Sequence, residues 1–172
     1  PMSIMMVVAM MGVDMSSGPG VSTMIGFSVR WAVPFIFLVV AAPAVKTLFP
    51  GPFPAWWLRN RKFIGFCFAV AMAWQGTFIF MMSNFYSDHY YDNVYLLRDE
   101  LEGSVGYIFL TAMVFTSFQF GRKRLSPMQW KVLHRGGIYF LFAYPFSVYW
   151  WNLSYYGSPE PIDYVFYWCG FT

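Results

Sequence analysis

FIGFCFAVAMAWQGTFIFMM, residues 63–82, is twenty residues without a charge and without polar–apolar alternation. A helix of that length covers about 30 Å, the hydrocarbon thickness of a bilayer, and a barrel strand would alternate, so the stretch reads as a membrane-spanning helix. Arg59, Arg61 and Lys62 precede it; Asp88, Asp92, Asp99, Glu100 and Glu102 follow it. That polarity repeats along the chain. Apolar stretches at 31–49, 103–120 and 136–153 supply three more spans, and because a backbone in lipid must satisfy its own hydrogen bonds, the predicted fold is an all-α integral membrane bundle of four helices.

The charges sort by side. Lys46, Arg59, Arg61 and Lys62 lie between the first two spans, and Arg122, Lys123, Arg124, Lys131 and Arg135 between the last two. The positive-inside tendency puts loops 50–62 and 121–135 on the cytoplasmic side of a plasma (bacterial inner) membrane. Loop 83–102 and the C-terminal tail then lie outside, together with Asp14, Glu160 and Asp163. Only Arg30 and Arg98 break the segregation, and outer carboxylates are their expected partners.

Composition agrees: 58% of the 172 residues are hydrophobic, 11% are charged, and the mean hydropathy is +0.48. A soluble domain does not carry that balance. The net charge of +3 needs no nucleic acid, because the basic residues sit in two short loops where anionic lipid headgroups attract them. Membrane lipids and other membrane subunits are the expected partners. Trp56, Trp57, Trp130, Trp150, Trp151 and Trp168 fall near the membrane edges, as interfacial anchors do.

The chain divides into residues 1–29, a Met-rich segment with an outer turn; 30–153, the bundle; and 154–172, an aromatic tail. Pro1 in place of Met predicts a processed or incomplete start. Residues 2–13 are apolar but too short to span, and Met2, Met5, Met6, Met10, Met11, Met15 and Met24 read as adaptable packing ahead of a soft-metal site. Ser16-Ser17-Gly18-Pro19-Gly20 predicts a break and an exposed turn. Residues 162–171 are expected at the interface or against a partner. Cys67 and Cys169 fall on opposite sides and predict two free thiols, and the Asn152-Leu153-Ser154 sequon abuts the membrane and is assigned no role.

Chemistry is sparse. No ionisable side chain lies mid-span, which disfavours a transporter or proton relay. There is no phosphate-binding glycine loop, no cysteine pair at metal spacing and no nucleophile beside a base, so no catalytic residue is assigned. Gln75, Thr77, Thr111, Thr116, Ser117 and Ser147 suit hydrogen bonds between helices, and Pro34, Pro43 and Pro145 suit kinks. His89 reads as a solvated loop histidine. With Asp88, Asp92, Asp99, Glu100 and Glu102 it forms an acidic outer segment suited to docking a partner. His134 follows Ser126-Pro127-Met128-Gln129, a capping-box helix start, and sits about two turns into the last helix.

Asn60-Arg61-Lys62-Phe63-Ile64-Gly65, Gly103-Ser104-Val105-Gly106-Tyr107, Thr116-Ser117-Phe118 and Trp130-Lys131-Val132-Leu133-His134-Arg135-Gly136-Gly137-Ile138-Tyr139 resemble, in order over residues 30–153, the ferric-reductase-like transmembrane proteins. These include the haem-binding membrane subunit of the periplasmic methionine sulfoxide reductase system. The resemblance implies a bundle carrying haem b and passing electrons across the membrane. The chain departs from that pattern at the ligands: Met72 and Gln75 stand where helical histidine is expected, Ser147 stands near the second position, and only His134 matches. Met72 is about 15 Å deep while His134 is at the edge, so the two do not share a level. The expectation is a haem-less accessory subunit of a respiratory or photosynthetic membrane complex with no cofactor. The alternative is a haem b electron carrier that uses His134.

Overall fold

The computed structural model describes residues 2–93, 95–155 and 159–171, and among these it is all-helical. Eight helices follow in order: α1 Met2–Met11, α2 Gly18–Leu48, α3 Pro52–Phe85, α4 Ser87–Asn93, α5 Leu97–Thr116, α6 Gln119–Arg122, α7 Pro127–Ser154 and α8 Pro161–Phe171. Two of them, α2 and α3, are long and apolar enough by themselves to cross a membrane. The first two turns of α5 carry Arg98, Asp99, Glu100 and Glu102, and α7 opens with Lys131, His134 and Arg135, which shortens the apolar run of each.

The elements start and stop for local reasons. The expected break falls at 12–17, between α1 and α2, and Gly18 to Gly20 already open α2: Ser17 is extended and accepts a hydrogen bond from the Gly20 amide at 3.2 Å, with Pro19 in the first turn. Gly18 and Gly20 are buried there: a side chain on Gly18 would meet the His89 ring at 2.7 Å, and one on Gly20 would meet the Asp14 carbonyl. The Ser16 hydroxyl and amide, at 2.5 and 3.0 Å, hold the Asp14 carboxyl below the usual range. Gly51, Pro52 and Pro54 turn the chain from α2 into α3. Ser126 and Gln129 form the expected capping box of α7, with Pro127 in its first turn.

Segment 83–102 is mostly helix instead of loop. α3 runs on to Phe85, α4 follows at once, and α5 begins at Leu97. α4 lies over the start of α2, so His89 is half-buried against Gly18 and not a solvated loop histidine.

α2 and α3 form one close hairpin and α5 and α7 a second. Ala32, Ile36, Phe68, Ala71, Leu110 and Leu141 fill the space where they meet. Val21, Met24, Phe78, Met82 and Tyr90 close the acidic end, where α1 contributes Ala9 and Met10. α8 packs Phe166 on Tyr149 and Val33 and leaves Tyr164, Val165, Trp168 and Phe171 exposed. Asp163 ties α8 to α7, accepting from the Asn152 amide at 3.3 Å and from the Glu160 backbone at 2.9 Å. Arg30 and Arg98 find carboxylate partners, Glu160 at 2.6 Å and Asp99 at 3.2 Å, although both pairs are exposed and contribute little. Both cysteines are free.

A close backbone approach between helices lies just past α5, where Gly121 of α6 meets the Phe115 carbonyl so closely that a Cβ has no room. Gly136, on α7, faces open space. Gly121→Ala is expected to destabilise the detergent-purified protein by about 1–3 kcal/mol, as overpacking does. Gly136→Ala should be neutral or stabilising by up to about 1 kcal/mol, as in a helix interior. Thermal unfolding of the two variants checks the pair, and equal losses would contradict the packing at Gly121.

Candidate functional site

The end of α5 is where the chain gathers its polar chemistry. A helix leaves its last carbonyls without intrahelical donors, and here neighbouring helices supply them. The Lys62 ammonium, from α3, donates to the Ser117 carbonyl at 2.6 Å. The Trp130 indole, from α7, donates to the Thr116 carbonyl at 3.2 Å. One turn further along α7, the His134 ring stacks on Trp130 at 4.2 Å and meets the Thr116 hydroxyl through Nε2 at 3.0 Å. The Arg122 guanidinium covers the other ring of the pair, 5.1 Å from the Trp130 centroid, and donates to the Leu125 carbonyl at 3.2 Å.

The proton on His134 follows from these partners. The Thr116 hydroxyl has one proton and donates it to the Ala112 carbonyl at 2.7 Å. Its oxygen therefore accepts, and Nε2 of His134 is the donor. Burial, reinforced by the Arg61 and Arg122 charges, pushes the imidazole pKa below its ordinary 6.5, so the ring is neutral and Nδ1 holds its one lone pair.

The positions named for haem do not converge with this ring. Met72 packs against the Ala71 and Leu110 cluster in the interior, and its carbonyl accepts from the Tyr107 hydroxyl at 3.0 Å. Gln75 Oε1 lies 3.1 Å from the same hydroxyl, whose single proton it shares with the Met72 carbonyl. Gly76 leaves room for that approach, 3.3 Å from the Tyr107 oxygen to where its Cβ would be. Ser147 bonds back to Tyr144 at 2.7 Å. His134 thus meets Thr116 while Met72 and Gln75 meet Tyr107, nine residues earlier on α5, so these side chains do not face one another as a pair of axial ligands would.

Sequence reasoning misjudged two features here. Thr77, Ser117 and Ser147 bond to carbonyls of their own helices at 2.9, 2.7 and 2.7 Å instead of crossing to a neighbour, because a short hydroxyl reaches the preceding turn first. Tyr107, the residue that does join α5 to α3, was passed over as one aromatic among many; its signal was a hydroxyl at the level of Gln75.

At the other end, the acidic segment is partly consumed within the chain. Glu100 accepts from the Tyr90 hydroxyl at 2.6 Å, whose burial and carboxylate neighbour push its pKa well up. Asp99 and Glu102 face Arg98 at 3.2 and 3.9 Å. Asp88 and Asp92 remain exposed on α4. The basic residues collect at the opposite end: Lys46 in the last turn of α2, Arg59, Arg61 and Lys62 on α3, Arg122 to Arg124 after α5, and Lys131 and Arg135 on α7.

No protein-family model matches the chain, and comparison with curated proteins and with solved structures finds no match.

A histidine held neutral makes stability depend on pH. The unfolded chain takes the proton near the ordinary 6.5 and the folded one only at lower pH, so this contribution is present above 6.5 and is lost as pH falls toward the folded value. Between about pH 7.5 and about pH 5.5 the wild-type unfolding temperature should fall more than that of His134→Gln. Parallel slopes in thermal melts would remove His134 from the coupling.

Proposed function

We propose that the chain is a four-span integral membrane protein, with the spans at 31–49, 63–82, 103–120 and 136–153 carried mainly by α2, α3, α5 and α7, His134 outside them at the membrane edge, the basic end cytoplasmic and the acidic end outside. Exposure supports this reading: only 33% of the most apolar stretch of α2 and 17% of that of α3 are buried, where a soluble core helix would be mostly covered. Phe80, Ile108 and Leu48 are 65%, 68% and 71% exposed, and apolar surface spread over several helices needs lipid or protein to cover it.

Within that frame the chain is a ferric-reductase-like bundle without haem that serves as an accessory subunit of a larger membrane complex. The observation that carries this is the engagement of His134 Nε2 with Thr116, which gives the one histidine matching the family pattern a structural task. It holds the end of α5 to the start of α7. Exposed Asp88 and Asp92 on α4 are the residues best placed to meet an outer partner.

Two readouts on the protein purified in mild detergent test the proposal. A pyridine haemochrome spectrum is expected to show no stoichiometric b-type haem, and native electrophoresis is expected to place the chain with other membrane subunits. A stoichiometric b-type signal that disappears in His134→Ala would replace this reading with a transmembrane electron carrier.

A further inference from the structure

A groove of about 630 Å³ runs between α3 and α5, the two helices whose middles meet least closely around the bundle. Small side chains leave the space, Ala69 and Ala73 on α3, and the rest of its lining is apolar or aromatic apart from Thr111 and Tyr107. Its inner end is closed by rings: Phe66 stacks on Phe118 at 5.5 Å, and Phe118 on Phe120 at 6.1 Å. Two cations flank that closed end. Lys62 Nζ lies 5.5 Å from both the Phe66 and Phe118 centroids, and the Arg124 guanidinium lies 5.6 Å from the ring of Phe115, another lining residue. Lys62 gives one N–H to the Ser117 carbonyl and keeps two more. The carboxylates of α5 are at its far end, about 20 Å from Thr116 at 1.5 Å per residue.

We infer that this groove is a binding site for an anionic phospholipid, its acyl chain along α3 and α5 and its phosphate at the Lys62 and Arg124 end. The inference rests on the membrane reading above. Charge complementarity selects the occupant: the site is apolar along its length and cationic only at one end, which is the polarity of an anionic amphiphile. A partner helix would need the apolar surface to continue past the rings, where the chain instead places Arg122, Lys123 and Arg124. Basic pockets between spans on the cytoplasmic side are a recurrent setting for anionic headgroups.

The test is native mass spectrometry of the full chain after exchange into mixed micelles of phosphatidylglycerol and phosphatidylcholine. The wild type should retain phosphatidylglycerol in preference to phosphatidylcholine. Arg124→Gln should lower that preference about fivefold, the share of one cation near the membrane surface. Ala73→Trp fills the groove and should cut retention of both lipids, while Val148→Trp, on exposed α7 surface outside the groove, should change neither. Equal retention of the two lipids by the wild type, or Ala73→Trp retaining as much lipid as the wild type, overturns the site. Alkaline carbonate extraction of the same membranes separates the two failures: a chain that stays in the pellet but shows no lipid preference loses only the groove, whereas a chain released to the supernatant loses the membrane reading and the groove together.

Discussion

The end of α5 must be satisfied from outside itself. Its final carbonyls lie where three helices converge, and an unpaired backbone acceptor in low-dielectric surroundings costs several kcal/mol. Lys62 from α3 and Trp130 from α7 answer two of them, and His134 fixes the Thr116 side chain beside them. Lys62 joins the α2–α3 hairpin to the α5–α7 hairpin at the basic end, Trp130 and His134 close the second hairpin on itself, and Gly121 lets the chain turn directly under the Phe115 carbonyl. A cation at a helix C-terminus is also favoured by the helix dipole, so Lys62 answers two demands at once. The opposite end has its own ties, from Tyr90 to Glu100 and from Asp163 to Asn152.

That arrangement changes what His134 means. In isolation, a histidine at the start of an apolar helix suggests a ligand. Among its neighbours it is a neutral ring with one nitrogen committed to a hydroxyl and one face covered by an indole. The same residues that would bring an electron carrier to mind tie α5 to α7, and open grooves of similar size flank α5, one against α3 and one lined by Thr116, Leu125 and Leu133.

Long apolar stretches were legible in the sequence because twenty uncharged residues have few alternatives to a helix. Their ends were not. Ser17 and Pro19 are as much the opening of a helix as the close of one, and only the run of Val21, Met24 and Ser28 into the interior shows that α2 starts there. α4 was missed because seven polar and aromatic residues carry no apolar period. The capping box of α7 and the acidic partners of Arg30 and Arg98 were visible because they depend on residues close in sequence or on simple charge. The link from His134 to Thr116 and the link from Tyr107 to Met72 cross between helices whose register no single-chain pattern gives, so the site appeared in the sequence only as separate residues.

The sidedness of the bundle is the claim on which the rest stands, and single cysteines test it most directly. With Cys67 and Cys169 replaced by alanine, Asp92→Cys on α4 and Lys123→Cys beyond α5 each present one exposed thiol at opposite ends of the bundle. A membrane-impermeant maleimide added to intact cells should label the thiol at 92 and leave the one at 123 unlabelled until the cells are broken. Equal labelling of both in intact cells, or the reverse order, would contradict a bundle held across the membrane with its basic end inside.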